Sequence, residues 1–364
     1  MKRAHFLHGA ACIPIAFSAT SSVSDAQKDP FDPEPGRWRT FEVTTSLVLP
    51  AGGPAQAWIP VPSLVETSWM QPRSQEWKPA DAKLQYAADS GRGVAMVHVQ
   101  WAADSEVRRC TVTSRVSTRN RSVDLSVPRQ IASLDAKDET RYLASTKFIP
   151  TDGIVKETAQ QIVLGATTDR EKAKRIYDWV VINSYRKPTV RGCGLGNVAF
   201  LLQTGDLGGK CADINGLAVG LARAAGLPAR DLYGVRVAPS DFGYKALGAN
   251  PPVVTKAQHC RAEVFLSQYG WVPMDPADVR KVMLEEPPGN LSSQDSKVVD
   301  ARQTLFGAWE GNYVAFNDGR DITLPGSTND PLPFFMYPQA EINGERLDSL
   351  DAVNFSYSIT SGEV

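Results

Sequence analysis

Charge of one sign is missing from this 364-residue chain: 39 Lys and Arg offset 40 Asp and Glu, a formal net charge of −1. No long-range field follows, which argues against nucleic acid or an acidic lipid surface as the main partner. Long apolar runs are missing too. Nothing reaches the roughly 18 residues that a bilayer span requires, so no stable membrane span is expected. Histidine and cysteine are scarce, with four and five residues. There is no C-x-x-C pair and no histidine cluster, which argues against a structural zinc site. So few cysteines cannot build a disulfide scaffold, and the fold must rest on a packed core. That core is affordable: 42% of the residues are hydrophobic and 22% charged, an ordinary globular composition of a length that suits two domains plus trimmings.

What is present begins with a segment set apart from the rest. Lys2 and Arg3 precede a mostly apolar run from Phe6 to Phe17, and Ser24-Asp25-Ala26 offers small residues before Gln27. Residues 1–26 thus read as a secretory signal, which implies a periplasmic or secreted protein. Cys12 lies inside the apolar run rather than after it, against its being a lipid attachment site. Removing the segment leaves only His98 and His259, and the cysteines Cys110, Cys193, Cys211 and Cys260. In an oxidising compartment these thiols could pair, in a connectivity that sequence does not set.

Residues 27–36 are a proline-rich linker. From 37 to about 130 the pattern alternates with period two: 40–49, 94–101, 107–116 and 122–127 read as strands between glycine turns, an all-β domain. His98, on one of these strands with no partner motif, reads as a packing or surface residue. The character changes at Pro150. Ile154, Val155, Thr158, Ile162 and Val163 share one helix face. Thr168-Asp169-Arg170-Glu171 is a capping box opening a second helix, with Ala173, Ile176, Tyr177, Val180 and Val181 on its apolar face. Gly192-Cys193-Gly194-Leu195-Gly196 is glycine-rich like a phosphate loop, but no strand leads into it and no Gly-Lys-Ser/Thr closes it.

A third helix follows Gly208-Gly209-Lys210, with Ile214, Leu217, Ala218, Leu221 and Ala222 in register and Gly226-Leu227-Pro228 as its stop. Cys211 therefore sits at a helix N-terminus, where unpaired N–H groups and the helix dipole favour thiolate over thiol. Downstream, Gln258 to Leu266 and Trp271 to Asp275 read as two strands of a hairpin centred near Ser267. That register would set His259 opposite Asp275, within reach of an imidazole–carboxylate hydrogen bond. Singly, each residue has a structural explanation: a buried capping thiol, a core histidine, an acid starting a turn. Together, a thiol, an imidazole and a carboxylate are the parts of a nucleophilic Cys-His-Asp site. Cys260 should point away from His259, because neighbours on a strand alternate, and reads as a buried free thiol.

These residues resemble the transglutaminase-like superfamily. Gly209-Lys210-Cys211-Ala212-Asp213, the run Leu221 to Arg230, His259-Cys260-Arg261-Ala262-Glu263-Val264 and Gly270-Trp271-Val272-Pro273-Met274-Asp275-Pro276 match its landmarks, over roughly Thr151 to Arg280. The resemblance implies an α+β, papain-like core of helices on an antiparallel sheet. In it Cys211 is the nucleophile, His259 the general base and acid, and Asp275 the group that orients the imidazole. No cofactor or metal is called for. Two positions depart from the pattern: Arg261 stands where members usually carry Trp, and the oxyanion Trp of animal transglutaminases falls near Gly194.

The expected organisation is a catalytic domain over 150–283 and a β-rich C-terminal extension over 284–364, whose aromatic strands near 309–316, 332–337 and 355–359 read as core. The expected function is an exported thiol-dependent amide hydrolase or acyltransferase, peptidase- or amidase-like, working through a thioester on a protein or peptide substrate. A non-catalytic protein- or peptide-binding scaffold of the same fold, and a protein-glutamine cross-linking transglutaminase, are the alternatives. Gln203, a nearby amide, is a candidate side-chain oxyanion donor.

Overall fold

The computed structural model describes Met1 and residues 31–364 apart from Ala80 and Ser90. The signal-peptide reading of residues 1–26, Cys12 included, lies outside the described residues. Seven α-helices are found among them: α1 (Ala136–Leu143), α2 (Gly153–Val163), α3 (Asp169–Asn183), α4 (Val198–Thr204), α5 (Cys211–Ala224), α6 (Pro276–Glu285) and α7 (Ser296–Thr304). The fold is α+β, as the family resemblance implied. None of these helices is long and apolar enough to cross a membrane.

Helix α3 starts as its sequence requires: the Thr168 side chain accepts the Glu171 N–H at 3.2 Å. The Glu171 carboxylate reaches back to Thr167, one residue before the expected partner, at 2.7 Å. Helix α5 is different in kind. Every residue from Cys211 to Arg223 is buried, so it has no polar face and must be enclosed by other elements. The enclosure is supplied by α2, α3, α4 and α6 and by a four-stranded antiparallel sheet. That sheet runs in the order Gly270–Met274, Gln258–Leu266, Ala229–Arg236 and Tyr313–Asn317. Its inner strand Ala229–Arg236 is buried at every position, the continuous burial of a strand covered on both faces.

The N-terminal strands form two further antiparallel sheets, and each is completed by the far end of the chain. Ser356–Glu363 pairs along Arg39–Val48, and Gln339–Ile342 pairs along Ala55–Pro60. Leu47, Ile59, Val97, Val99, Val112 and Phe355 fill a core shared by these sheets. Strands over 55–60, 70–79 and 83–89 were not expected from alternation alone, and 122–127 shortens to Arg121–Ser122. The principal core is continuous from Phe41, Trp69 and Met70 through α2, α3 and α5 to Trp309 and Tyr313. The C-terminal aromatics Trp309, Phe316, Phe334, Phe335, Tyr337 and Phe355 are buried, in keeping with a core role. His98 is also buried, stacked on Trp58 and bonded to Gln56 at 3.0 Å.

Candidate active site

Two glycines, Gly208 and Gly209, lead the chain into α5, pairing in parallel with Tyr185–Arg186. The first turn of the helix is held by the glycine-rich loop before it. Asp213 accepts the Lys210 N–H at 3.1 Å through one oxygen. Through the other it accepts the N–H groups of Leu195 at 3.1 Å and Gly196 at 2.9 Å. The Cys193 carbonyl in turn accepts the Ala212 N–H at 2.9 Å. Gly192, Gly194 and Gly196 all have positive φ, and a Cβ on Gly194 would lie 1.8 Å from the Asp213 carboxylate. The loop is therefore a seat for the helix start. No side chain fits at Gly194, and so no tryptophan there.

His259 and Asp275 are brought together, though not by the expected ladder. The strands pair Ala262 with Met274 and Leu266 with Gly270, a hairpin centred on Gln268 rather than Ser267. One step beyond the last pair, Asp275 stands level with Arg261, not His259. Asp275 reaches the imidazole because the chain leaves the strand there (φ −138, ψ 71) to start α6, with Asp275 as N-cap and Pro276 in the first turn. That order suits both residues, since proline lacks the N–H that a first helical turn leaves orphaned. Pro273, on the edge strand of this sheet, breaks no inner ladder. The His259 Nε2 lies 2.8 Å from Asp275 Oδ2 and 3.4 Å from Asp278 Oδ1.

Asn215, Asp278 and Arg236, which sequence reading passed over, complete the surroundings of Asp275 together with Arg261. The Asn215 amide donates to Asp275 Oδ1 at 2.9 Å and to the Cys260 carbonyl at 2.8 Å, and its oxygen accepts the Ala277 N–H at 3.1 Å. Asn215 follows Cys211 by four residues on the same helix face, the one local signal that could have marked it. Asp278 is gripped by both oxygens, at 2.6 and 2.7 Å, by the buried Arg236 guanidinium. Arg261 lies 3.9 Å from Asp275 Oδ2, with its guanidinium over the rings of Trp309 and Tyr313. The family's tryptophan is thus replaced by a cation stacked on aromatics from two other strands.

The charge states follow from these contacts. Burial opposes ionisation of Asp278, but Arg236 overcomes it and holds the pKa well below the carboxylate range. At Asp275 burial and then the Asp278 charge prevail over His259, and the pKa lies above the usual value. Burial disfavours the His259 cation, yet Asp278 and Asp275 together outweigh burial and Arg236, raising its pKa. The Cys211 thiol is held well below its ordinary value by hydrogen bonds from Cys193 and Cys260 and by His259, against burial. The helix N-terminus acts in the same direction. With Nε2 committed to Asp275, Nδ1 is the imidazole nitrogen left for the thiol.

Cys193, Cys211 and Cys260 adjoin one another, and all four described cysteines are free. His259, Asp275 and Asp278 also have donor atoms within 4.8 Å of one another, the separation of a metal-ligand set. Their lone pairs are committed to Arg236, Asn215 and the backbone of α6, so the set reads as a hydrogen-bond network. Gln203 is exposed on α4 and lines neither cavity next to Cys193, which removes it as an oxyanion donor.

Cys211 and His259 open into a cavity of about 450 Å³. It adjoins, at Cys193 and Tyr337, a second groove of about 910 Å³ lined by Leu195, Phe200, Leu332 and Phe334. A buried cysteine at the start of an enclosed helix, beside a sheet-borne histidine and its carboxylate, defines a papain-like α+β protein. The description of the transglutaminase-like superfamily matches residues 156–276. An uncharacterized protein of Haemophilus influenzae is 36% identical over 340 residues, covering 88% of this chain and 90% of that protein. The chain belongs to the transglutaminase-like superfamily. Among solved structures, a protein provisionally described as a cysteine protease from Cytophaga hutchinsonii is 13% identical. It covers 90% of this chain and 99% of that one with a TM-score of 0.51, a likeness of fold. The periplasmic domain of TgpA from Pseudomonas aeruginosa is 17% identical over 67% of this chain and 90% of that one, with a TM-score of 0.35.

Proposed function

We propose that the protein is an exported, thiol-dependent amide hydrolase or acyltransferase with a peptide or protein substrate. The observation that carries this reading is the imidazole of His259, bonded to Asp275 at 2.8 Å and sharing a cavity with Cys211. In this mechanism the Cys211 thiolate adds to the amide carbonyl. The tetrahedral oxyanion is received by the Cys211 N–H, one of the donors that a first helical turn leaves without a partner. Such a donor typically contributes ~2.7–4 kcal/mol. The C–N bond then breaks, the His259 imidazolium gives its proton to the departing amine, and a thioester remains. Water, or a second amine, next adds to the thioester carbon and yields a proton to His259. The C–S bond breaks and the thiolate–imidazolium pair returns. Asp275 keeps one tautomer and one ring orientation throughout.

The test is alkylation by iodoacetamide near neutral pH, followed at Cys211 by mass spectrometry. Fast modification that disappears in Cys211→Ala is expected. A Cys211 no faster than a free thiol would favour a non-catalytic peptide-binding scaffold. Incorporation of a primary amine into a glutamine-containing protein would instead point to transglutaminase cross-linking. Hydrolysis without amine uptake is the expected result, because no side chain can occupy Gly194 to supply the tryptophan of the animal enzymes.

A further inference from the structure

The cavity over Cys211 carries one sign of charge in a chain whose net charge is only −1. Arg186, Lys210, Arg236, Lys256 and Lys281 line it, and no Asp or Glu does. Part of this charge is answered from behind. Arg236 is paired with Asp278, while Arg186 at 2.7 Å and Lys281 at 3.3 Å share the single carboxylate of Glu285. Lys210 and Lys256 have no ion pair among the described residues. The wall therefore keeps an excess of positive charge around a thiol and an imidazole, in a recess where low-dielectric surroundings strengthen it.

A second observation points to a ligand. Tyr337 is buried, borders both this cavity and the apolar groove, and its hydroxyl lies beside the Cys193 thiol without a regular hydrogen-bond partner. A buried hydroxyl left so costs free energy unless something donates to it or accepts from it. Lys256 reaches the cavity from the segment just before the His259 strand, and Lys210 immediately precedes the nucleophile. A group held by both would lie close to the atom under attack.

We infer that the substrate is an anionic acyl donor, a peptide amide with a carboxylate close to the scissile carbonyl, held by Lys256, Lys210 and Arg186 with the Tyr337 hydroxyl as a neutral donor. This rests on the proposed role of Cys211 as nucleophile, and it adds what that role leaves open. A neutral or cationic side chain at the same place would leave these cations unanswered, so acidic peptides are selected over basic ones by attraction and by repulsion alike.

The experiment compares two alkylating agents that differ by one charge. Iodoacetate and iodoacetamide are reacted with the full-length protein at pH 7, and the rate at Cys211 is read by mass spectrometry against a free-cysteine peptide. The ratio of iodoacetate to iodoacetamide rates is expected to exceed the peptide's by roughly tenfold, equivalent to about 1.4 kcal/mol. It should fall towards the peptide's value in 1 M salt, where the Debye length shrinks to about 3 Å, and in the double variant Lys256→Gln with Arg186→Gln. Rapid reaction with iodoacetamide but a ratio no higher than the peptide's overturns the anionic-substrate inference and leaves the nucleophile intact. Slow reaction with both agents removes the nucleophile. The charge preference is then read from glutarate, which should raise the melting temperature of the wild type and not of the double variant; equal response overturns the inference.

Discussion

Replacing Asp275 by asparagine isolates the contribution of one oxygen. Asp275 Oδ1 accepts from Asn215 and from the Asp278 N–H, whereas Oδ2 faces His259. An asparagine keeps its carbonyl where the two donors are, since an NH2 there would meet an amide NH2 and a backbone N–H. Its own NH2 must then point at His259 Nε2 and donate to it. The imidazole proton is forced onto Nδ1, the nitrogen left for Cys211. In that tautomer a neutral His259 cannot take the proton of the thiol, and an imidazolium would set N–H against NH2. Three effects follow. Turnover of an amide substrate falls by up to ~10⁴-fold, the size of a tautomer error in a triad. The thiolate loses its imidazolium partner, so the acid limb of alkylation moves up towards the ~8.5 of a free thiol.

The third effect concerns the sign of the pH dependence. In the wild type the depressed Cys211 pKa keeps thiolate present at pH values below that of a free thiol, and it is lost as pH falls through the depressed value. The raised His259 pKa keeps imidazolium present above ~6.5, and it is lost as pH rises through the raised value. The ion pair therefore occupies a window between the two, and hydrolysis should show a bell within it. In Asp275→Asn the alkylation profile becomes a single rising limb. The assay is the iodoacetamide rate at Cys211 from pH 5 to 9.5, with a thermal melt to show that the variant is folded. An unchanged acid midpoint in a folded variant would refute the assignment of Asp275 as the residue that fixes the imidazole.

Two further substitutions test parts of the same network. Cys193→Ala removes the hydrogen bond that does most to lower the Cys211 pKa, so the midpoint of Cys211 alkylation should rise while the protein melts near its wild-type temperature. No movement would mean that His259 and the helix N-terminus suffice. Asn215→Ala leaves the Cys260 carbonyl, the Ala277 N–H and one Asp275 interaction unpaired in a buried place. It should cost about 1–3 kcal/mol for each group left unsatisfied. Urea denaturation would measure it, and a loss under 1 kcal/mol would show that water replaces the amide.

The candidate site was legible where local rules act. Cys211 announces itself because two glycines and a lysine precede an apolar helix pattern. Gly226 and Pro228 confirm where that helix stops. Asp275-Pro276 was read as the end of a strand; it is also the beginning of α6, and the second role is what turns the carboxylate towards the histidine. The register was missed by one position of the turn, because Gly270 takes a positive φ (74°) and opens the second strand, so the loop falls at Ser267 to Tyr269. Helices α1, α4, α6 and α7 went unread, being short, none longer than 10 residues. Arg236 and Asp278 carried no signal, and Arg261 only that of a departure from the family pattern, since a charged residue is buried only when its partner is brought to it from elsewhere.

The chain's own order of residues determined a thiol at a helix start, a strand with a histidine, and an acid before a proline, because caps, periods and turns are settled within a few residues. Only the tertiary structure decided that Asn215 should clasp Asp275, that Arg261 should lie on Trp309 and Tyr313, and that five cations should surround one cavity. Those arrangements depend on strands and helices far apart in the sequence closing over α5, the helix with no outward face. Its burial makes partners inside the protein necessary for the carboxylates beside the imidazole, and those partners come from wherever the fold delivers them.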